Sequence, residues 1–453
     1  AAASPGGTPR RVALGWTPPM APPGDLDQAT PSVDHPPLEG DAGTAWRLRF
    51  WLVFASQGVS LVGSSLTQFV LLWWITDSVG SLSALATAGM AALLPQALLA
   101  PLGGTLADRC SRRVLMIVSD AVSAAAMLVL IGLFATGDVA LSHVYGLIAL
   151  RSAMQAFQAP AAAASVSMLV PRSFLTRAAG LNQAVQSMAM VAAPPLGALA
   201  VSQLPMAWAL AIDVVTAVVG TTILLVLRIP QPTPDAGRPG RPGTGAALWR
   251  ELRDGVRLVW STPGLRHLYL LLAGVVLVVM PSYTLVPLLV KQHFLGGAGD
   301  VGLIEGMSGL GMLLGGVLVA AMAPRRHVVW ILLGFSASCA ALALTALVPG
   351  HLFGIAVSWW FISGMTFVFG SAPLMALLQS VVPAHMQGRA LSLLNAVMGL
   401  AAPVGLLAVA PLERLLDIQA LFVLMGVLGG AVGLSGFAST ALRRLDATAN
   451  GAQ

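Results

Sequence analysis

The chain has 453 residues, of which 57% are hydrophobic and only 9% are charged, and its formal net charge is +6. Soluble globular domains carry about 25% charged residues, so this composition excludes a water-soluble globule and requires lipid around most of the surface. The basic residues lie in short loops between apolar segments, where they set membrane topology, and this placement argues against a nucleic-acid partner.

Twelve apolar segments follow a polar amino-terminal tail. Residues 1–44 are rich in Pro, Gly, Ala and Asp and lack the layout of a signal peptide, so we predict a disordered cytoplasmic tail. Each later segment is long enough to cross the hydrocarbon core, which takes about 20 residues. We therefore predict an all-α membrane protein with twelve transmembrane helices over 46–76, 82–107, 114–136, 142–168, 175–202, 207–228, 266–292, 301–323, 327–348, 351–380, 390–412 and 418–441.

The second half of the chain repeats the first. Gly103-Gly104 recurs as Gly315-Gly316, and Arg177 recurs as Arg389 at the same spacing. This predicts two pseudo-symmetric six-helix bundles, an arrangement that many transporters place around a central path. Such a pair needs no partner chain to form its path, so we expect a functional monomer. The predicted domains are the bundles 45–228 and 266–442, the cytoplasmic linker 229–265 with an amphipathic surface helix, and a cytoplasmic tail over 443–453.

Orientation follows from the arginines. With a cytoplasmic amino terminus, nearly all of them lie in inside loops; only Arg414 falls outside, and Arg151 lies within a span. We therefore expect both termini to be cytoplasmic, in a multi-pass protein of the plasma or inner membrane.

The loop after the second span reads GGTLADRCSRRVLMI over residues 103–117. It resembles the signature loop of the major facilitator superfamily, and this resemblance implies that fold and a cytoplasmic latch that stabilises the outward-open state. Two glycines permit close helix approach, an acid accepts hydrogen bonds, and arginines hold the cytoplasmic face together or serve only to fix topology. The predicted latch residues are Gly104, Asp108, Arg109, Arg112, Arg113 and Asp120.

The fourth and fifth spans carry two further resemblances. Arg151 followed by Gln155 resembles the family's arginine motif in the fourth helix. A charge at this depth indicates a role in proton coupling or substrate binding, or a structural pair with a carboxylate such as Asp213. The stretch MVAAPPLGALA partly resembles the antiporter motif of drug exporters and favours export. Helix-bending positions are Pro194, Pro195 and Gly197, with Pro403 in the second half.

Proton coupling requires a titratable group in the membrane. Asp213 in the sixth span is the first candidate and Glu305 in the eighth is the second, with Arg151 as a possible participant. The first span has no acid, although in many drug–proton antiporters of this superfamily that span supplies the carboxylate. It has instead a polar stripe of Gln57, Ser60, Ser64 and Gln68 at helical spacing, which indicates either helix packing or a cavity wall. The candidate substrate contacts are Gln57, Ser64, Gln68, Gln155, Asn182, Gln186, Tyr283 and Asn395.

Stretches such as SQGVSLVGSSLTQF and LVPRSFLTRAAGLNQAVQS resemble the macrolide-efflux and secretion-effector branch of drug–proton antiporters. The resemblance implies a secondary transporter that exports a bulky amphipathic compound, macrolide-like or siderophore-like, in exchange for protons. The alternatives are a facilitator or importer without carboxylate coupling, and a transport-dead sensor or scaffold. No phosphate-binding loop, zinc-ligand helix or nucleophile elbow is present in the sequence, so we expect no enzyme activity, cofactor or metal.

Overall fold

A computed structural model describes residues 45–227, 245–324, 326–383 and 386–451. These residues form helices joined by short connections, without a β-strand among them. The predicted tail 1–44 and the first part of the linker lie outside the described residues. The α-helices are α1 (Ala45–Ser78), α2 (Leu82–Arg109), α3 (Arg112–Thr136), α4 (Leu141–Leu169), α5 (Leu175–Gln203), α6 (Met206–Val226), α7 (Gly245–Ser261), α8 (Pro263–Gln292), α9 (Ala298–Met322), α10 (His327–Leu347), α11 (Phe353–Val381), α12 (Gln387–Val409), α13 (Ile418–Ser435) and α14 (Thr440–Gly451).

Within this part of the chain, eleven helices are long and apolar enough to cross a membrane. The remaining predicted span, α4, is equally long but more polar, because Arg151, Gln155 and Gln158 interrupt its apolar residues. Its neighbours explain why this is tolerated. α4 packs against α2 and α3, and its polar side chains have partners inside the bundle: Gln158 bonds to α1 and Arg151 pairs with α6. The predicted all-α fold with twelve transmembrane helices is confirmed.

Helix ends differ from the sequence boundaries by a few residues at most positions. The predicted amphipathic linker helix is α7, and the predicted tail after residue 442 instead continues a helix, α14. Polar side chains fix several starts: Ser81 Oγ accepts a hydrogen bond from Ala84 N at the start of α2, and Asp417 Oδ1 accepts one from Ala420 N at the start of α13. These caps satisfy amide groups that the first helical turn leaves unpaired.

The sequence repeat has a structural counterpart in glycine-mediated packing. A Cβ atom added to Gly103 would lie 1.9 Å from the carbonyl oxygen of Ala156, where α2 crosses α4. A Cβ atom added to Gly315 would lie 2.6 Å from the carbonyl oxygen of Met365, where α9 crosses α11. The same glycine of each half therefore permits the equivalent helix pair to make backbone contact.

Candidate functional site: the space between the two bundles

The apolar core joins the two bundles at one end and divides at the other. We call the end that holds residues 79–81, between α1 and α2, the turn face; the opposite end, which holds Arg112 and Arg113, is the arginine face. Towards the turn face, one buried cluster includes side chains from both bundles, such as Ile75 and Leu289. Towards the arginine face, each bundle has its own cluster. The bundles are thus packed together at the turn face and separate at the arginine face.

The seam between α5 and α9 is a close helix contact between the bundles. A Cβ atom on Gly302 would lie 2.9 Å from Pro194 O, and one on Gly306 would lie 2.9 Å from Pro195 Cγ. Small residues on α9 therefore accommodate the paired prolines of α5. The outer side of this seam forms an apolar groove of about 490 Å³ that includes Leu199.

Beyond the seam, the half of α5 nearest the arginine face has no such cover. Asn182 and Gln186 are exposed there, as is Asn395 on α12. These three predicted cavity residues lie on helices from different bundles, near the end where the bundles separate.

The buried charges of the first bundle form an ion pair. Arg151 Nη2 on α4 lies 3.2 Å from Asp213 Oδ2 on α6, and the two side chains are 13% and 6% exposed. Ser64 Oγ on α1 donates a hydrogen bond of 3.0 Å to Asp213 Oδ1. The structure therefore brings two coupling candidates and one cavity candidate together, and Asp213 joins three helices. Arg151 Nη1 is buried and has no hydrogen-bond partner among the described residues.

The polar stripe on α1 faces the interior of its own bundle. Gln158 Nε2 on α4 donates a hydrogen bond of 2.9 Å to Gln57 Oε1, and Gly63 packs against Thr216 of α6. Through Gln57 and Ser64, the stripe thus contacts α4 and α6 of the same bundle. Gln158 was not among the predicted residues, although it lies two turns after Arg151 on the same helix. The other predicted residues of this region, Gln68 and Gln155, are half-buried.

Glu305 on α9 faces the space between the bundles. On the helix circumference it lies between Gly309, which packs on α5, and Ser308, which packs on α11. The exposed side chain of Leu303 is on the opposite side of the helix. Within the described residues the Glu305 carboxylate makes no hydrogen bond or ion pair. Among the described residues, the second bundle therefore holds an inward-facing carboxyl group without a charged partner, in contrast to Asp213, which is paired with Arg151.

An aromatic cluster lies in the same bundle. The ring of Tyr283 on α8 meets the ring of Trp360 on α11 edge to face, with centroids 5.7 Å apart. Trp360 is buried, and its Nε1 has no hydrogen-bond partner among the described residues. Of the two rings, only that of Tyr283 is partly accessible, and the indole N–H of Trp360 is enclosed in the core.

Two arginines of the predicted latch, Arg112 and Arg113, bind their own bundle. Arg112 Nη1 donates to Ala164 O on α4 at 2.9 Å, and Arg113 Nε donates to Leu224 O at the end of α6 at 2.6 Å. The bond to Leu224 satisfies a carbonyl group in the last turn of α6, and the two bonds together fix the positions of α3, α4 and α6 relative to one another.

The other predicted latch residues occupy varied surroundings. Gly104 has open space where a Cβ atom would be, so the close approach in this motif belongs to Gly103. Asp120 Oδ2 is buried without a hydrogen-bond partner among the described residues, and the carboxylate interacts electrostatically with Asp213. The side chains of Asp108 and Arg109 lie outside the described residues.

The predicted helix-bending residues lie inside continuous helices. Pro194 and Pro195 fall within α5, and Pro403 falls within α12. Gly197 accommodates the ring of Phe69, since a Cβ atom there would lie 2.6 Å from Phe69 Cδ1. The prolines remove backbone hydrogen bonds in the two helices that the repeat makes equivalent.

Comparison with known proteins agrees with this architecture. The sequence profile of the Major Facilitator Superfamily matches residues 53–406. Macrolide efflux protein A of Streptococcus pyogenes is 30% identical over 384 residues, which cover 84% of this chain and 94% of that protein. The multidrug efflux pump Tap of Mycobacterium bovis is 23% identical over 422 residues, which cover 88% of this chain and 94% of Tap.

Solved structures show the same fold. The nucleoside transporter NupG superposes with a TM-score of 0.66 at 13% identity, covering 87% of this chain and 98% of NupG. A bacterial homologue of the human lysosomal transporter Spinster superposes with a TM-score of 0.62 at 13% identity, covering 90% of this chain and 97% of that chain.

Proposed function

Because the chain belongs to the major facilitator superfamily, we propose that it is a secondary transporter that exports bulky amphipathic small molecules by proton antiport and alternating access. The observation that carries this proposal is the packing of the bundles, which are joined at the turn face and separate at the arginine face. Efflux proteins for macrolides and for several drugs are among its relatives, which supports export of macrolide-like or siderophore-like compounds.

The bias of the arginines supports an arginine face in the cytoplasm. On this assignment both termini are cytoplasmic and the structure is the inward-open state. A compound would enter from the cytoplasm past Asn182, Gln186 and Asn395, and move towards the half-buried ring of Tyr283. Rocking of the two bundles about the α5–α9 seam would then open the turn face to the outside.

We assign the coupling step to Asp213 and Arg151. In the inward-open state an ionised Asp213 is paired with Arg151, as expected after a proton has left for the cytoplasm. In the outward-open state a proton from outside would bind an Asp213 oxygen and neutralise the carboxylate, which would release Arg151. Return to the inward-open state would restore the pair and release the same proton inside. Glu305 is the second candidate carrier, because it faces the central space without a counter-charge.

The test is antiport in proteoliposomes. The full chain is reconstituted with an imposed pH gradient, and collapse of the gradient is recorded when a macrolide is added outside and accumulates in the lumen. D213N is expected to abolish macrolide-dependent proton flux. Asp138→Asn, a change at an exposed acid of the turn face, is the matched control and should leave the flux unchanged.

The remaining outcomes separate the alternatives. Flux that survives D213N but is lost in E305Q would transfer the coupling role to Glu305. Macrolide movement without proton flux, retained when both acids are neutralised, would indicate a facilitator or importer. Loss of cellular function on deletion of residues 1–44, with transport by the truncated protein unchanged, would favour the scaffold alternative.

A further inference from the structure

The turn between α1 and α2 is held from the other bundle by side chains of opposite charge. Lys291, at the end of α8, places its Nζ 3.2 Å from Thr76 O, 2.7 Å from Asp77 O and 2.9 Å from Asp77 Oδ1. Thr76 and Asp77 belong to the last turn of α1, whose carbonyl groups carry the negative end of the helix dipole. A positive charge from the second bundle thus binds the carboxyl end of α1.

An acid from the same bundle binds the start of α2. Glu413, in the 3₁₀ helix Ala410–Arg414 that follows α12, accepts a hydrogen bond from Leu82 N at 2.9 Å and one from Ser83 N at 3.0 Å. These amides are unpaired within α2 and form the positive end of its dipole. Between the two charges, Gln292 Nε2 donates to Gly80 O at 2.8 Å. The end of α1, the start of α2 and the turn between them are therefore all bound by side chains of the second bundle.

The choice of residue at position 291 matches this geometry. The chain has 24 Lys and Arg residues, and Lys291 is the one lysine among them. An ammonium group has three donors that can converge on three oxygens around one point, whereas the planar guanidinium group directs its donors outward in a fixed fork. The three acceptors around Lys291 Nζ belong to one helix end, which is the arrangement that an ammonium group serves.

Water has access to these bonds. A cavity of about 230 Å³ beside them is lined by Gln292, Glu413 and Asp417 together with apolar side chains. The side chains of Lys291 and Asp77 are 31% and 62% exposed. Bonds in this position are screened and exchange readily with water, so they can hold a closed state and still be broken in each transport cycle.

We propose that Lys291, Gln292 and Glu413, which we call the turn clamp, form the outer gate of the transport cycle. The proposal rests on the alternating-access transport proposed above. The turn clamp holds the turn face shut while the arginine face is open, and it must release the α1–α2 turn before the turn face opens. Its three residues act by positioning the bundles and do not contact the transported compound.

The test is a distance measurement across the turn face. Spin labels are attached to Asp138→Cys in the first bundle and His351→Cys in the second, both exposed. The full chain is placed in lipid nanodiscs after Cys110 and Cys339 have been replaced by serine and alanine, and distances are measured by pulsed electron paramagnetic resonance. E413Q removes the negative charge and one of the two acceptor oxygens, and is expected to raise the ratio of long to short distances on the order of tenfold.

Companion variants make the result specific. K291M is expected to shift the distances in the same direction, and K291R, which keeps the charge but not the ammonium geometry, to restore only part of the short component. Arg414→Gln removes an exposed charge next to Glu413 and should leave the distribution as in the parent protein. Unchanged distances in the K291M/E413Q double variant, or equal lengthening in R414Q, would overturn the proposal.

This measurement needs neither a transported compound nor a pH gradient. Lengthened distances in a protein that shows no antiport would leave the turn clamp in place and remove the proposed coupling. Antiport with unchanged distances would overturn the turn clamp and leave the proposed coupling in place.

Discussion

The crossing of α2 and α4 at Gly103 gives a sharp test of the packing, because its neighbour Gly104 is a matched control. A methyl group on Gly103 would lie 1.9 Å from Ala156 O, whereas nothing lies within 4 Å of the same position on Gly104. Real Cβ atoms essentially never approach another heavy atom closer than 3.0 Å. In G103A the backbones of α2 and α4 must therefore separate by roughly 1 Å, and in G104A nothing has to move.

The magnitude follows from this displacement. Overpacking a tight site costs about 1–3 kcal/mol, and a rigid backbone oxygen places G103A at the upper end, near 3 kcal/mol. In the second bundle, a methyl group on Gly315 would lie 2.6 Å from Met365 O, so a smaller shift relieves the clash and G315A should cost about 1 kcal/mol. Gly316 is open like Gly104, and alanine there gains helix propensity of about 0.5–1 kcal/mol. From least to most stable, the expected order is G103A, G315A and the parent protein, and G104A and G316A should be as stable as the parent or more stable.

The assay is thermal unfolding of the purified variants in one detergent, followed by the fluorescence of the 11 tryptophans. G103A should unfold at the lowest temperature, and G104A should match or exceed the parent. Equal destabilisation of G103A and G104A would refute the assignment of the close approach to Gly103. Equal destabilisation of G103A and G316A would refute the structural equivalence of the repeats.

Three further predictions concern contacts within and between the bundles. D213N should destabilise the protein by about 3 kcal/mol because it leaves the buried Arg151 charge unpaired, and the R151Q/D213N double variant should recover most of this loss in the same unfolding assay. Gly306→Leu should disrupt the α5–α9 seam, so macrolide transport in proteoliposomes should fall while the protein remains folded by circular dichroism. Arg113→Gln should lower stability by about 1 kcal/mol through lost bonds to carbonyls at the end of α6, whereas exposed Arg177→Gln should not.

The spans and the repeat could be predicted from the sequence because both are properties of composition and spacing. Apolar length identifies a spanning helix wherever lipid is the solvent, and the paired glycines mark equivalent crossings such as those at Gly103 and Gly315. The more polar helix α4 is also predictable, because one arginine, Arg151, does not cancel the hydropathy of the other residues in a long apolar run. Which of two adjacent glycines makes the contact depends on helix rotation, so the sequence offers Gly103 and Gly104 alike, and only the structure shows that Gly103 is in contact.

Side-chain partners were harder to predict, because they depend on which faces of separate helices meet. The sequence allowed a pair between Arg151 and Asp213 but also allowed other roles, and the rotation of α4 and α6 decides that they meet. Glu413 gave no signal, because an acid in a loop is ordinary until a helix start is placed against it. Lys291 did give one, as the one lysine of the chain at the end of a span.

The distribution of charge explains how the bundles can move as rigid bodies. Arg151 and Asp213 neutralise each other inside the first bundle, and Arg112 and Arg113 bind carbonyl groups of that bundle. None of these contacts has to break when the bundles rotate. What joins the bundles is the apolar cluster towards the turn face, the glycine–proline seam of α5 and α9, and the turn clamp, which is polar and exposed. In the proposed cycle, the charged contacts within the first bundle stay intact and those of the turn clamp exchange with water, so one face can open while each bundle keeps its structure.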